Sequence, residues 1–171
     1  GGGMVISRDV SEKKTALIKE NKERLQVKNI SIGVADATKP DETMIEQADV
    51  VIADLPCSGI GIMAKKPEIR YRMTQENQKE LVRLQKEMLA VVHRYVKPGG
   101  ILMYSTCTIN KQENEEQVRE LCSEYGFVPA MNEVNVPEKL RADCSRDGSL
   151  QLLPGIHACD GFFIARLKKV K

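Results

Sequence analysis

Val50-Val51-Ile52-Ala53-Asp54-Leu55-Pro56-Cys57-Ser58-Gly59 is a short apolar run that ends on an acid and is cut off by Pro56 and Gly59. A run of this length, bounded by turn residues, reads as a strand buried in a parallel sheet. Ile101-Leu102-Met103-Tyr104-Ser105-Thr106-Cys107-Thr108 repeats the pattern and again delivers a cysteine at the strand's end. In open α/β sheets, ligands bind just beyond the carboxyl ends of the strands. Two thiols there point to covalent chemistry on a ligand rather than to core filling.

Upstream, Met4-Val5-Ile6-Ser7 reads as a strand ending at Asp9. Ser11 caps a helix to about Gln26, with Ala16, Leu17 and Leu25 on its inner side. Asn29–Val34 alternates as a strand that ends near Asp36. Downstream, residues 59–73 lack a period and read as a long loop. Thr74 caps the longest helix, where Leu81, Leu84, Met88, Val91 and Tyr95 form an inner stripe; Pro98-Gly99-Gly100 ends it. Asn110-Lys111-Gln112-Glu113 resembles a capping box for a helix burying Val118, Leu121 and Cys122. A strand starts at Tyr125-Gly126-Phe127-Val128, residues 132–158 are irregular, and Phe162–Leu167 is the final strand. Strands alternating with helices give an α/β fold with a mostly parallel sheet.

The chain of 171 residues is one domain, and 26 basic against 24 acidic residues leave a net charge of only +2. Any contact with RNA is therefore local, and Lys65, Lys66, Arg70 and Arg72 are the candidates. Lys168, Lys169 and Lys171 read as a solvated tail. Aromatic residues at 4% with no Trp argue against a base-stacking sheet. Five cysteines without a C-x-x-C pair, beside only His93 and His157, argue against a zinc site and a thiol-redox protein. Cys122 and Cys159 read as structural and Cys144 as exposed. No long apolar run or secretory signal is present, so no membrane partner is expected, and the reducing cytoplasm is the expected compartment.

Strand ends carry Asp9, Asp36, Asp54 and Cys107, with Cys57 just past Asp54. An acid ending a strand of a Rossmann-type unit commonly accepts from ribose hydroxyls. The paired thiols fit methylation of cytosine at C5, a poor nucleophile until a thiolate adds at C6. The C5 proton and the thiolate must afterwards leave, so a second acid/base group is useful.

Asp54-Leu55-Pro56-Cys57-Ser58-Gly59 resembles the Asp-Pro-Pro-Cys-Ser-Gly motif of RNA cytosine-C5 methyltransferases. Ser105-Thr106-Cys107-Thr108 resembles their Thr-Cys-Ser motif, and Leu152–Phe163 their ending before the last strand. The similarity runs from Met4 to Lys169 and is strongest to the Sun-type (Fmu or RsmB-like) branch acting on 16S ribosomal RNA. It implies a Rossmann-like class I methyltransferase sheet and S-adenosylmethionine as cofactor. It implies Cys107 as the nucleophile and Cys57 as the group assisting release of methylated RNA. Asp9 would bind the cofactor ribose, Asp36 would sit by its adenine, and Asp54 would lie between cofactor and base. Leu55 stands where the family has its first Pro.

The family's first motif, a strand with an Ala-Pro-Gly-Gly-Lys-like loop, is not found ahead of Met4. Residues 1–3 read as a linker or expression remnant, and 4–171 as a partial catalytic domain lacking its first central strand. The chain is then expected to bind S-adenosylmethionine weakly and to have little activity alone. Two exposed strand edges would be covered either by pairing the first strand with the one before Asp54 or by dimerisation. The competing readings are a catalytically silent RNA-binding or assembly module and the same chemistry on tRNA.

Overall fold

Seven strands form in the computed structural model, which describes residues 2–144 and 147–170 and divides at Pro40 into two compact units. Gly1 and Lys171, read above as parts of a linker and of a basic tail, lie outside the described residues.

The first unit is β1 (Val5–Asp9), α1 (Glu12–Arg24) and β2 (Ile30–Val34), with β1 and β2 paired in parallel so that Asp9 faces Val34. Ser11 caps α1 as expected, its side chain accepting from the Lys14 amide. The inner face of α1 differs from the expected one. Leu17 and Leu25 are 52% and 59% exposed, Ala16 is exposed too, and Thr15 is the buried residue. A sheet of two strands is too narrow to cover a stripe of large side chains. A small residue whose hydroxyl donates to the Glu12 carbonyl suits the contact better.

The second unit contains β3 (Ala48–Asp54), α2 (Ile69–Arg72), α3 (Gln75–Val92), β4 (Val96–Thr106), α4 (Glu115–Glu124), β5 (Phe127–Pro129), β6 (Ser149–Leu152) and β7 (Phe162–Lys169). Its sheet runs β3-β4-β7-β5, with β6 pairing β7 beside β5. β3 and β4 are parallel, while β7 is antiparallel to β4, β5 and β6. Only β7 therefore runs against the rest, and the sheet is mostly parallel by direction. Among the described residues β1 pairs with β2 and β3 with β4, and the expected pairing of the first strand with the one before Asp54 is not among the strand pairs.

Register explains which face is buried. Leu102, Tyr104 and Thr106 stand opposite Leu167, Ala165 and Phe163, and all six are fully buried. α3 and α4 supply Leu89, Val92, Val118 and Leu121 to the same core. On the other face Val50 and Ile52 are 53% and 74% exposed.

Several expected elements shift. The buried positions of α3 are Gln85, Leu89 and Val92, so the apolar stripe from Leu81 to Val91 flanks the core instead of centring on it. Pro98, Gly99 and Gly100 lie inside β4, opposite a register shift between Ala48 and Val50, and α3 ends earlier at Val92. Residues 59–73 include the one-turn α2, and the irregular stretch contains β6. α4 starts at Glu115, so residues 110–113 form a turn and not a capping box. Cys159 is exposed and Cys144 half-buried, the reverse of the expected order. Lys169 is no tail residue: it is buried, donating to Glu46 Oε1 at 3.2 Å and to the Val96 carbonyl at 2.9 Å.

His93 follows α3 and stacks on Tyr125 at 4.1 Å, with Phe127 at its edge. Burial, aided by repulsion from Lys169 and Arg94, pushes His93 down to about 4. Because the folded value lies below the ordinary 6.5, the unfolded chain takes up this proton first. The contribution is complete above about pH 6.5 and is lost as the pH falls toward about 4. Allowing for partial exposure, about 1–2 kcal/mol should disappear across that window. His93→Phe, which keeps the stack, should flatten the decline in urea unfolding measured between about pH 7 and about pH 5.

Candidate active site

Parallel pairing of β3 with β4 sets Asp54 against Ser105. Cys57 and Cys107 follow these two residues, so both thiols leave the sheet at the same carboxyl edge. Their sulfurs lie 3.2 Å apart and are half-buried. Burial first, then the facing Cys107 sulfur, pushes Cys57 up to about 12, so this thiol keeps its proton at neutral pH. Asp54, exposed at the end of β3, accepts from the Ser105 hydroxyl at 3.0 Å.

The residues next to each cysteine are held by buried hydrogen bonds. Ser58 Oγ and Thr108 Oγ1 are 2.7 Å apart. The Ser58 amide donates to Glu113 Oε2 at 2.8 Å, and Gln85 Nε2 donates to both Glu113 Oε2 and the Pro56 carbonyl. Asn110 Nδ2 donates to Glu113 Oε1 at 3.0 Å. Tyr104 donates its hydroxyl proton to the Glu113 carbonyl, and its own ionisation is pushed up by burial. Asn114 accepts from Thr106 and donates to the Thr108 carbonyl and to Gln151 on β6.

A second brace is made of backbone. The Gly61 amide donates to the Cys107 carbonyl at 3.1 Å, and the Gly161 amide to the Gly61 carbonyl at 2.8 Å. A Cβ on Gly61 would stand 2.4 Å from the Gly161 carbonyl oxygen, so only glycine fits this crossing. Lys65 reinforces it from outside through a 2.6 Å ion pair with Asp160.

In the first unit, Asp9 and Asp36 lie at the carboxyl ends of neighbouring strands. Asp9 Oδ1 accepts from the Ser11 amide, and Oδ2 faces the exposed Lys14 at 3.3 Å. Asp36 Oδ1 accepts from the Thr38 amide and hydroxyl, which hold its carboxyl below the usual range, while Oδ2 faces the exposed Lys39 at 3.9 Å.

The family described as 16S rRNA methyltransferase RsmB/F matches residues 2–168. The chain belongs to this family. It is 39% identical over 170 residues to a Bacillus subtilis protein named probable ribosomal RNA small subunit methyltransferase B, covering 98% of this chain and 38% of that protein. It is 32% identical over 171 residues to ribosomal RNA small subunit methyltransferase F of Cronobacter sakazakii, covering 98% and 35%. The crystal structure of NSun6 from Pyrococcus horikoshii with SFG superposes with a TM-score of 0.84 at 29% identity, covering 99% of this chain and 42% of that one. The chain thus spans little more than a third of its curated relatives' length. The expected α/β methyltransferase fold and family are both found.

Within this family member, Glu113 is the site residue that reading the sequence misplaced. Three residues after Asn110, it looks like a capping partner, yet its side chain is fully buried between two loops. The wholly polar run Asn110–Asn114 reads as a solvated turn, so no local signal in the sequence marks the burial of Glu113 and Asn114. Gln85 was hidden for a related reason, since a lone Gln among helical leucines reads as solvent-facing.

Proposed function

We propose that this chain carries the thiol chemistry of an S-adenosylmethionine-dependent RNA cytosine-C5 methyltransferase acting on 16S ribosomal RNA in the cytoplasm. The 3.2 Å approach of Cys57 and Cys107 at the carboxyl edge of two parallel strands is the observation that supports it most. Cys107 Sγ adds to cytosine C6, forming an S–C6 bond and making C5 nucleophilic. S-Adenosylmethionine supplies the electrophilic methyl group when bound. Once C5 carries the methyl group, its proton passes to solvent water, the C5–H electron pair closes the C5=C6 bond, the S–C6 bond breaks, and its electron pair returns to the Cys107 sulfur. Cys57, protonated and in contact with that sulfur, assists the release of RNA. Asp54 holds the N4 and N3 edge of the base.

Asp9 and Asp36 fit the cofactor's ribose and adenine. Each carboxylate keeps one oxygen whose protein partner is an exposed lysine, displaceable by a hydroxyl or amino group. The described residues include no glycine-rich turn from a strand into a helix to take the methionine end. Residues 2–170 are therefore proposed to bind S-adenosylmethionine weakly and to turn over slowly on their own.

Calorimetric titration with S-adenosylmethionine, run beside a chain extended upstream to the relatives' length, tests this. Binding should be confined to the longer form, or be about a hundredfold tighter there, and that form should make an adduct with 5-fluorocytosine RNA. Equal binding by both would remove the argument from the missing loop. Binding of RNA by both with no adduct would favour a silent RNA-binding module.

A further inference from the structure

We propose that Glu113 is a positioning residue, whose buried carboxylate sets the separation of the Cys57 and Cys107 sulfurs. Its meaning for catalysis rests on the reading of these thiols given above.

A closed ring of hydrogen bonds carries the inference. Glu113 Oε2 accepts from the Ser58 amide at 2.8 Å. Ser58 Oγ contacts Thr108 Oγ1 at 2.7 Å. Thr108 Oγ1 accepts from the Asn110 amide at 3.2 Å, and Asn110 Nδ2 returns to Glu113 Oε1 at 3.0 Å. Ser58 follows Cys57 directly and Thr108 follows Cys107 directly, so the ring fixes the peptide next to each sulfur. Gln85 braces it from α3, binding Glu113 Oε2 and the Pro56 carbonyl on the other side of Cys57.

Glu113 is fully buried, and among the described residues no basic side chain forms an ion pair with it. Burying a carboxylate is costly unless its oxygens are well supplied with donors. Here three N–H groups supply them, two from the loops that bear the thiols and one from α3. An apolar side chain of similar size would fill the space but leave the Ser58 amide buried without a partner. What the carboxylate adds is a two-armed link between two loops that are distant in sequence. Thiols held 3.2 Å apart pass a proton or form a disulfide with each other most readily while that link is intact.

The test uses this chain with Cys122, Cys144 and Cys159 changed to serine. Oxidised glutathione converts the Cys57 and Cys107 thiols to one disulfide, releasing two molecules of reduced glutathione. The equilibrium against a glutathione buffer gives the effective concentration of one thiol toward the other. Glu113→Ala should lower that concentration about tenfold or more. Glu113→Gln, whose amide oxygen still accepts from the Ser58 amide but whose NH2 meets a donor, should lower it about threefold. Gln117→Ala removes a buried polar residue outside the ring and should leave it unchanged.

Folding of each variant is followed by circular dichroism, and Glu113→Gln decides the matter if Glu113→Ala does not fold. Unchanged coupling in folded Glu113 variants would overturn the proposal, as would an equal drop in Gln117→Ala. Absence of an RNA adduct in the upstream-extended form, with Glu113-dependent thiol coupling intact, would count against the methyltransferase reading and leave the positioning role standing.

Discussion

Cys107→Ala is expected to abolish the adduct with 5-fluorocytosine RNA, while Cys57→Ala is expected to leave RNA attached to the protein. Both variants are to be made in whichever form of the chain binds S-adenosylmethionine, and denaturing gels of labelled RNA read the result. On the proposed mechanism, loss of the Cys107 sulfur removes the route to a nucleophilic C5 and should reduce methyl transfer by about a thousandfold or more. Loss of Cys57 leaves that attack possible. Burial keeps Cys57 protonated, with its sulfur 3.2 Å from that of Cys107, so on the proposed roles its removal should strand the later step. An adduct with Cys107→Ala, or its absence with both variants, would exchange or cancel the assigned roles.

Gly61→Ala should have the largest effect on folding. The added carbon would lie 2.4 Å from the Gly161 carbonyl oxygen, 2.8 Å from its carbon and 2.9 Å from the Cys107 carbonyl oxygen. All three are backbone atoms, so no rotamer change relieves the contact. A cost of about 3 kcal/mol is expected, at the upper end of ordinary overpacking. Gly161→Ala should behave alike, because its Cβ would approach Gly61 Cα to 2.7 Å. Gly99→Ala is the control in the same denaturation series: its Cβ meets open space, and only the positive φ of 77° opposes it. Similar losses at Gly61 and Gly99 would show that the crossing yields to an added methyl group.

The parallel strands and their cysteines were legible because the signals are local. Apolar runs cut off by Pro56 and by the polar end of β4 report strand ends directly, and parallel pairing then brings those ends together. Residues whose roles depend on distant partners were not legible. Gly61 looks like loop flexibility until Gly161 is laid across it. Glu113 looks like a helix cap until Ser58 is found donating to it. Lys169 sits among other lysines at the end of the sequence, yet its burial is decided by Glu46 and the Val96 carbonyl. The misjudged face of α1 has a different origin, since an amphipathic pattern assumes a broad sheet and β1–β2 offers a narrow one.

The position of β7 bears on how this protein is made. The last of the seven strands in sequence is the one inserted between β4 on one side and β5 and β6 on the other. During synthesis β3 and β4 emerge well before β7, and the inner edge of β4 stays open until Phe162–Lys169 has left the ribosome. Until then the Tyr104 ring lacks Phe163, and the loop bearing Cys107 lacks the crossing with Gly161. A chain stalled or clipped before residue 162 would thus present an apolar strand edge with two unguarded thiols, a species for chaperones and proteases.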